Sequence, residues 1–325
     1  MNIFVTGGAG YIGSVTADAL VSAGHSVTVY DSLVTGHRHA VPEGATFVKA
    51  DLSDSDALSK TLTDQKFDAV MHFAAFIEAG ESMKDPGRFY HNNLTNSLSL
   101  METAVRAGIK RFVLSSTAAV FQSSNEPLTE ESPLGPTNVY GHTKLMVEQA
   151  LDWYRAVHGL HFAALRYFNA CGALSGRGEA HQPESHLIPL VLRVPLGQRE
   201  SVQIYGTDYP TPDGTCIRDY IHIADLVSAH LLALEGLSEH DRLIYNLGSG
   251  NGYSVREVIE TARNVTGHPI PVQELPRRPG DSARLVASSE KIKRELGWAP
   301  RHDNLHTIIS SAWEWHQSHP HGYED

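Results

Sequence analysis

Glycine spacing close to the N-terminus constrains this chain more than any other feature. Thr6-Gly7-Gly8-Ala9-Gly10-Tyr11-Ile12-Gly13 follows the apolar run Ile3–Thr6 and opens an amphipathic stretch, so glycines 7, 10 and 13 read Gly-x-x-Gly-x-x-Gly. A strand that turns into a helix through such a spacing can turn tightly, bring its backbone close to a pyrophosphate and pack the helix hard against the sheet. The helix N-terminus then stabilises the phosphate charge. The spacing predicts a dinucleotide site formed by Gly7, Gly10, Tyr11, Ile12 and Gly13.

The rest of the first half fits a sheet built around that turn. Nearly continuous apolar runs at Ile3–Thr6, Val27–Asp31, Phe47–Asp51, Ala69–Phe73 and Phe112–Ser116 suit parallel strands covered on both faces. Helical stretches alternate with them, at Gly13–Ala23 and Asn93–Ala107, then at Val139–His158, with a strand at Phe162–Phe168. The alternation predicts an α/β fold: a doubly wound parallel sheet of the Rossmann type over residues 1–170. Beyond residue 170 the pattern becomes polar and Gly-rich, with breaks at Pro189, Pro195, Pro210 and Pro212. Residues 171–325 are expected to form mainly a smaller α/β substrate domain, with some segments crossing back to the sheet, Leu243–Leu247 among them. Leu305, Ile308, Ile309, Ala312 and Trp315 follow helical spacing and read as a core stripe.

Asp31 ends the second expected strand, 18 residues after Gly13. An acid there accepts hydrogen bonds from an adenosine ribose diol and repels a 2′-phosphate, which predicts NAD over NADP. Asp51, at the end of the third strand, is a candidate adenine contact. A net charge of −11 argues against a nucleic-acid partner, which needs a basic surface. No run of about 18 apolar residues predicts a membrane helix. With no signal-peptide pattern and only Cys171 and Cys216 as cysteines, a reducing cytoplasm is expected. No Cys/His group has zinc spacing, so no metal is expected; His316, His319 and His321 read as a solvated tail.

The second constellation is Tyr140-Gly-His-Thr-Lys144. Residues i and i+4 share a helix face, and an ammonium beside a phenol favours the phenolate, whose ordinary pKa is ~10. Tyr140 is the candidate general base, with Lys144 as its activator. Thr117 closes the fifth strand, where ligands of an open parallel sheet bind.

These motifs resemble the extended short-chain dehydrogenase/reductase family. Further segments resemble its UDP-glucose 4-epimerases: His72-Phe73-Ala74-Ala75, Gly80-Glu81-Ser82, Asn92-Asn93, Arg166-Tyr167-Phe168-Asn169, His186-Leu187-Ile188-Pro189, Tyr205-Gly206-Thr207-Asp208-Tyr209-Pro210-Thr211, Asp213–His222 and Arg277-Arg278-Pro279-Gly280-Asp281. The resemblance covers nearly the whole chain. It implies 4-epimerisation of a UDP-sugar by transient oxidation at C4. Tyr140 takes the proton, Thr117 binds the 4-oxygen, and Lys144 holds the nicotinamide ribose. Leu52, Phe73, Ala74, Ala75, Asn93, Ser115 and Tyr167 join the NAD site, with Phe168 near the nicotinamide. Arg218 and Arg278 anchor the diphosphate, Tyr205 packs on uracil, and Asn169, Leu187 and Asp281 contact the nucleotide. A homodimer is implied, through the Asn93–Ala107 and Tyr140 helices.

Three residues depart from the family pattern: Ile77, Gln122 and His186. Leu285 leaves open whether UDP-GlcNAc is accepted. A UDP-glucuronate 4-epimerase and a non-catalytic NAD-binding regulator are the alternatives. Ala118-Ala119 after Thr117 argues against a 4,6-dehydratase, which needs an Asp-Glu pair there.

Overall fold

The apolar runs become parallel strands. In a computed structural model, which describes residues 1–278 and 281–324, the strands are β1 (Asn2–Thr6), β2 (Ser26–Asp31), β3 (Thr46–Lys49), β4 (Ala69–His72), β5 (Arg111–Thr117), β6 (His161–Tyr167) and β7 (Arg242–Leu247). They form one seven-stranded sheet in the order β7-β6-β5-β4-β1-β2-β3, with every neighbouring pair parallel. The expected strands lie within one or two residues of the observed ones. The Leu243–Leu247 segment does cross back, as the edge strand beside β6. Pro279 and Gly280 of the arginine motif lie outside the described residues.

Continuous apolar character is needed because helices cover both faces. On one face α1 (Tyr11–Ser22) and a helix at Ile223–Gly236 enclose Val5, Val29, Met71 and Leu165 with Val15, Leu20, Leu226 and Ala229. On the other, α2 (Ser55–Asp64), α3 (Asn96–Arg106) and α4 (Val139–His158) pack Leu58, Leu100, Met101, Val147 and Leu151 against Phe4, Val70, Phe112 and Phe162. A separate core joins Ile188, Val191, Ile204, Tyr220, Ile259, Ile308 and Trp313, all from beyond residue 171.

Local chemistry fixes the helix ends. Asn138 caps α4 by accepting from the Gly141 N–H at 2.8 Å, and Gly159 ends it in the left-handed region. The expected Asn93–Ala107 helix begins instead as a π-turn, Tyr90–Thr95, before regular α geometry starts at Asn96. That wider turn rotates Asn93 inward. In the sheet, β1 and β4 are neighbours while the chain leaves β1 for β2 on the other side. The carboxyl ends of these strands therefore open a crevice at the point where strand order reverses.

Candidate active site

The crevice is lined by Gly7, Gly10, Tyr11, Ile12 and Gly13 after β1, and by Asp31 after β2. Asp51 and Leu52 follow β3, and Phe73, Ala74 and Ala75 follow β4. Gly7 has φ +70°, and a Cβ there would sit 2.4 Å from the Ala74 nitrogen. A Cβ on Gly13 would sit 2.1 Å from the Gly7 carbonyl oxygen. A side chain at either position would push the loop off the residues after β4 or force its turn open, so both glycines hold the tight turn that brings backbone close to a pyrophosphate. Both Asp31 oxygens accept backbone N–H groups, from Ala9 at 2.9 Å and Leu33 at 2.8 Å. Burial pushes the Asp31 carboxyl up, and those two donors oppose the shift. The acid is thereby held at the cleft wall, where its remaining lone pairs can accept from a ribose diol. Asp51 accepts from both the N–H and the hydroxyl of Ser53. The glycine loop and Asp31 thus fit an NAD molecule.

At the β5 end the cleft wall carries Ser115, Thr117 and Tyr140, with Tyr167 beside Thr117 on the neighbouring strand and Phe168 after it. Gly141 makes this approach possible: a Cβ there would lie 2.3 Å from the Ala119 carbonyl oxygen. Only glycine lets α4 press against the residues after Thr117. The Thr117 hydroxyl lies close enough to Tyr140 to favour its phenolate. The Tyr167 hydroxyl bonds Nε2 of His230, whose Nδ1 lies 2.9 Å from the Leu226 carbonyl. Nδ1 must donate to that carbonyl, so Nε2 accepts from the tyrosine.

Two sequence-named residues do not line the cleft. Asn93 is buried, holding the Phe76 backbone through its carbonyl oxygen (2.9 Å) and its amide nitrogen (2.9 Å). Its neighbour Asn92 faces the cleft. Lys144 lies behind the wall, donating to the Ser115 carbonyl at 2.7 Å. The expected activation by Lys144 is also not a property of the protein alone. Burial pushes Tyr140 up to about 12, the Thr117 hydroxyl opposes this, and Glu78 adds to the rise. Burial likewise brings Lys144 down to about 8, against the pull of Glu148. Desolvation is the largest influence on each group.

Several contributors escaped the sequence reading. Glu148 sits one turn beyond Lys144 and takes a buried bidentate contact from Arg166, with Nη2–Oε2 at 2.7 Å and Nε–Oε1 at 3.1 Å. Ser116 also bonds Glu148. The i+4 spacing from Lys144 was the available signal. Ser82 accepts from the Tyr140 N–H at 3.1 Å, tethering the start of α4.

A second cavity brings together Asn169, Leu187, Tyr205, Arg218, Arg278 and Asp281. It shares Asn169, Ala170, Glu179 and His186 with the first, so the two run into one another. Asn169 follows Tyr167 at the end of β6, and Tyr167 pairs in register with Thr117. The Tyr140 end of the cleft therefore meets the arginine-bearing cavity. The Arg278 guanidinium lies 3.8 Å over the Tyr205 ring, so that ring face carries a cation. Arg218 donates to the carbonyls of Ile217 and Ser282, at 3.0 and 2.8 Å. Next to it, Asp219 is wholly buried and accepts from Ser249, Gly250 and Ala287 N–H groups. The Arg-Asp pair thus divides into an outward cation and an inward staple. Of the departures, Ile77 lines the cleft, Gln122 lies at the surface against Gly135, and His186 lies where the cavities meet. Leu285 pairs in a short strand with Arg218 and lines neither cavity.

A family model described as the NAD dependent epimerase/dehydratase family matches residues 3–248. The UDP-glucose 4-epimerase of Streptomyces lividans is 51% identical over 323 residues, covering 99% of this chain and 98% of that one. A crystal structure of a UDP-glucose 4-epimerase superposes with TM-score 0.97 at 50% identity, covering all of both chains. The enzyme of Bifidobacterium longum, solved in complex with NAD+ and UDP, superposes with TM-score 0.94 at 36% identity, covering 99% of this chain and 100% of that one.

Proposed function

The chain belongs to the NAD dependent epimerase/dehydratase family, and on that premise we propose that it interconverts UDP-glucose and UDP-galactose with NAD as its resident cofactor. The observation that carries the reading is the meeting of the Thr117–Tyr140 pair with the arginine-bearing cavity. The reactive hydroxyls stand where one ligand site ends and the other begins.

The glycine loop holds the NAD pyrophosphate and Asp31 the adenosine ribose. What NAD contributes when bound is reversible acceptance of the C4 hydride, together with a positive ring that favours the Tyr140 phenolate. Tyr140 takes the proton of the sugar 4-hydroxyl and returns it, while Thr117 hydrogen-bonds the same oxygen. Lys144, placed by the Ser115 carbonyl, contributes positive charge behind the phenol, and its amine turns from Ser115 toward the cleft to hold the nicotinamide ribose. Arg218 and Arg278 anchor the diphosphate, since a guanidinium matches phosphate oxygens bidentately. Asn169, Leu187, Tyr205 and Asp281 contact the nucleotide. Epimerisation requires one phenol to serve both faces of C4. Anchoring the substrate at its diphosphate and leaving the hexose loose meets that requirement.

Residues 171–325 mainly supply the UDP-sugar site, and residues 1–170 the NAD site. A homodimer through α3 and α4 is supported by Trp153 and Val157, which lie four residues apart on α4 and are 72% and 68% exposed. A cytoplasmic setting agrees with two buried free cysteines. Among the described residues no helix is long and apolar enough to cross a membrane.

The test is incubation of the purified protein, with no added NAD, with UDP-glucose, UDP-galactose, UDP-GlcNAc and UDP-glucuronate, followed by chromatography. UDP-glucose and UDP-galactose should interconvert. Tyr140→Phe should keep bound NAD while turnover falls by about 10²–10⁴-fold. Undiminished turnover in that variant would remove the base.

A further inference from the structure

The seam between the two cavities holds a group of side chains that the proposed reaction does not use. Glu179, His181, Glu184 and His186 come from one short loop, and a ligand-capable atom of each lies within 4.8 Å of the others. Glu179 Oε1 is 2.7 Å from His186 Nδ1 and 3.0 Å from His181 Nδ1. Glu184 Oε1 is 2.9 Å from the same His186 nitrogen. The side chains of Glu179 and Glu184 are 6% and 1% exposed.

Two carboxylates this close and this buried repel one another unless a cation lies between them. Two imidazoliums, at His181 and His186, or one doubly charged ion would answer that need. His186 Nδ1 carries at most one proton, yet both carboxylates lie within hydrogen-bond distance of it. A doubly charged ion among the four atoms, with both imidazoles neutral, cancels both negative charges at once. Bonds of about 2.0–2.2 Å to nitrogen and oxygen in a tetrahedron place ligand atoms roughly 3.3 Å apart. The three contacts of 2.7 to 3.0 Å reach that spacing with movements of a few tenths of an ångström, and the remaining pairs, all within 4.8 Å, close by at most about 1.5 Å. Glu184 is already oriented, because its Oε1 also accepts from the Ser185 and His186 N–H groups at 2.7 and 2.8 Å.

We propose that Glu179, His181, Glu184 and His186 bind one divalent transition-metal ion of the zinc type through two imidazole nitrogens and two carboxylate oxygens. Imidazole donors select zinc over magnesium or calcium. The ion ties the loop down where the cavities meet: Glu179 and His186 line both of them, and His181 lines the first. The spacing Glu-x-His-x-x-Glu-x-His packs all four ligands into eight residues, which is why a search for zinc-finger or His-Glu-x-x-His patterns passes over it. The site does not depend on the reaction assigned above.

The test uses the full chain with its NAD, purified without a histidine tag and stripped with a chelator. Zn²⁺ is titrated by calorimetry, and bound metal is counted by mass spectrometry. One zinc per chain is expected. His181→Ala and Glu184→Gln should each weaken binding at least 10-fold, whereas His321→Ala in the exposed C-terminal tail should not change it. Co²⁺ loading should give a visible absorption band that His181→Ala abolishes. Retained NAD in each variant separates loss of a ligand from loss of the fold. No zinc uptake by the wild type, equal affinity in the His181→Ala variant, or loss only with His321→Ala would each overturn the proposal.

Discussion

Gly141→Ala tests whether helix approach, more than residue identity, sets the Tyr140–Thr117 geometry. The added Cβ would stand 2.3 Å from the Ala119 carbonyl oxygen and 2.8 Å from its carbon. Both obstacles are backbone, so no rotamer change relieves them. Opening 2.3 Å to 3.0 Å moves the start of α4 by about 0.7 Å, and Tyr140 is the preceding residue. A misplacement of about 1 Å costs on the order of 10²-fold in rate, so kcat should fall by tens of fold. Stability should fall by no more than about 3 kcal/mol. Ala gains up to about 1 kcal/mol over Gly in a helix, while overpacking costs about 1–3 kcal/mol. The NAD cradle lies on other strands and should stay filled. The assay is kcat for UDP-galactose, with NAD content and Tm measured on the same preparation. A kcat within two-fold of wild type would refute the positioning argument. Parallel loss of NAD and Tm would refute its local character.

Arg218→Ala should raise KM for the UDP-sugar by roughly 10- to 100-fold, the equivalent of a lost charge-assisted contact of about 1.5–3 kcal/mol; titration with UDP alone should show the same loss. Glu148→Gln leaves the buried Arg166 without its counter-charge and should cost about 3–5 kcal/mol in denaturant unfolding. The same change removes the one charge that opposes the drop of Lys144 to about 8, so a kcat limb that needs protonated Lys144 should move to lower pH. His72 is buried between Thr6 and Ser97, and burial brings it down to about 3. Because the folded value lies below the ordinary value of 6.5, its contribution is intact above pH 6.5 and is lost as pH falls toward 3. By pH 4 the penalty is about 3 kcal/mol, and His72→Asn should lose less stability than wild type between pH 7 and pH 4.

The alternation of apolar and amphipathic segments was enough to place the strands β1 to β6 and helix α4, because a parallel sheet covered on both faces needs uninterrupted apolar strands. Gly7, Gly13 and Asp31 were legible for the same reason: each demands a residue type that no neighbour can replace, a missing Cβ or an acid at a strand end. What the linear pattern does not contain is the direction of a side chain across a turn or the partner it meets from far along the chain. Asn92 and Asn93 exchange places because a π-turn shifts the helix phase by a fraction of a turn. Lys144 meets Ser115 and not the open cleft because α4 lies against β5 as closely as Gly141 allows. The acidity of Tyr140 follows from how much water the fold removes around it, and desolvation is a property of the packed whole. Sequence alone thus determined which chemical groups are present and the layers that carry them. Only tertiary packing decided which groups face the ligand and how readily each gives up its proton.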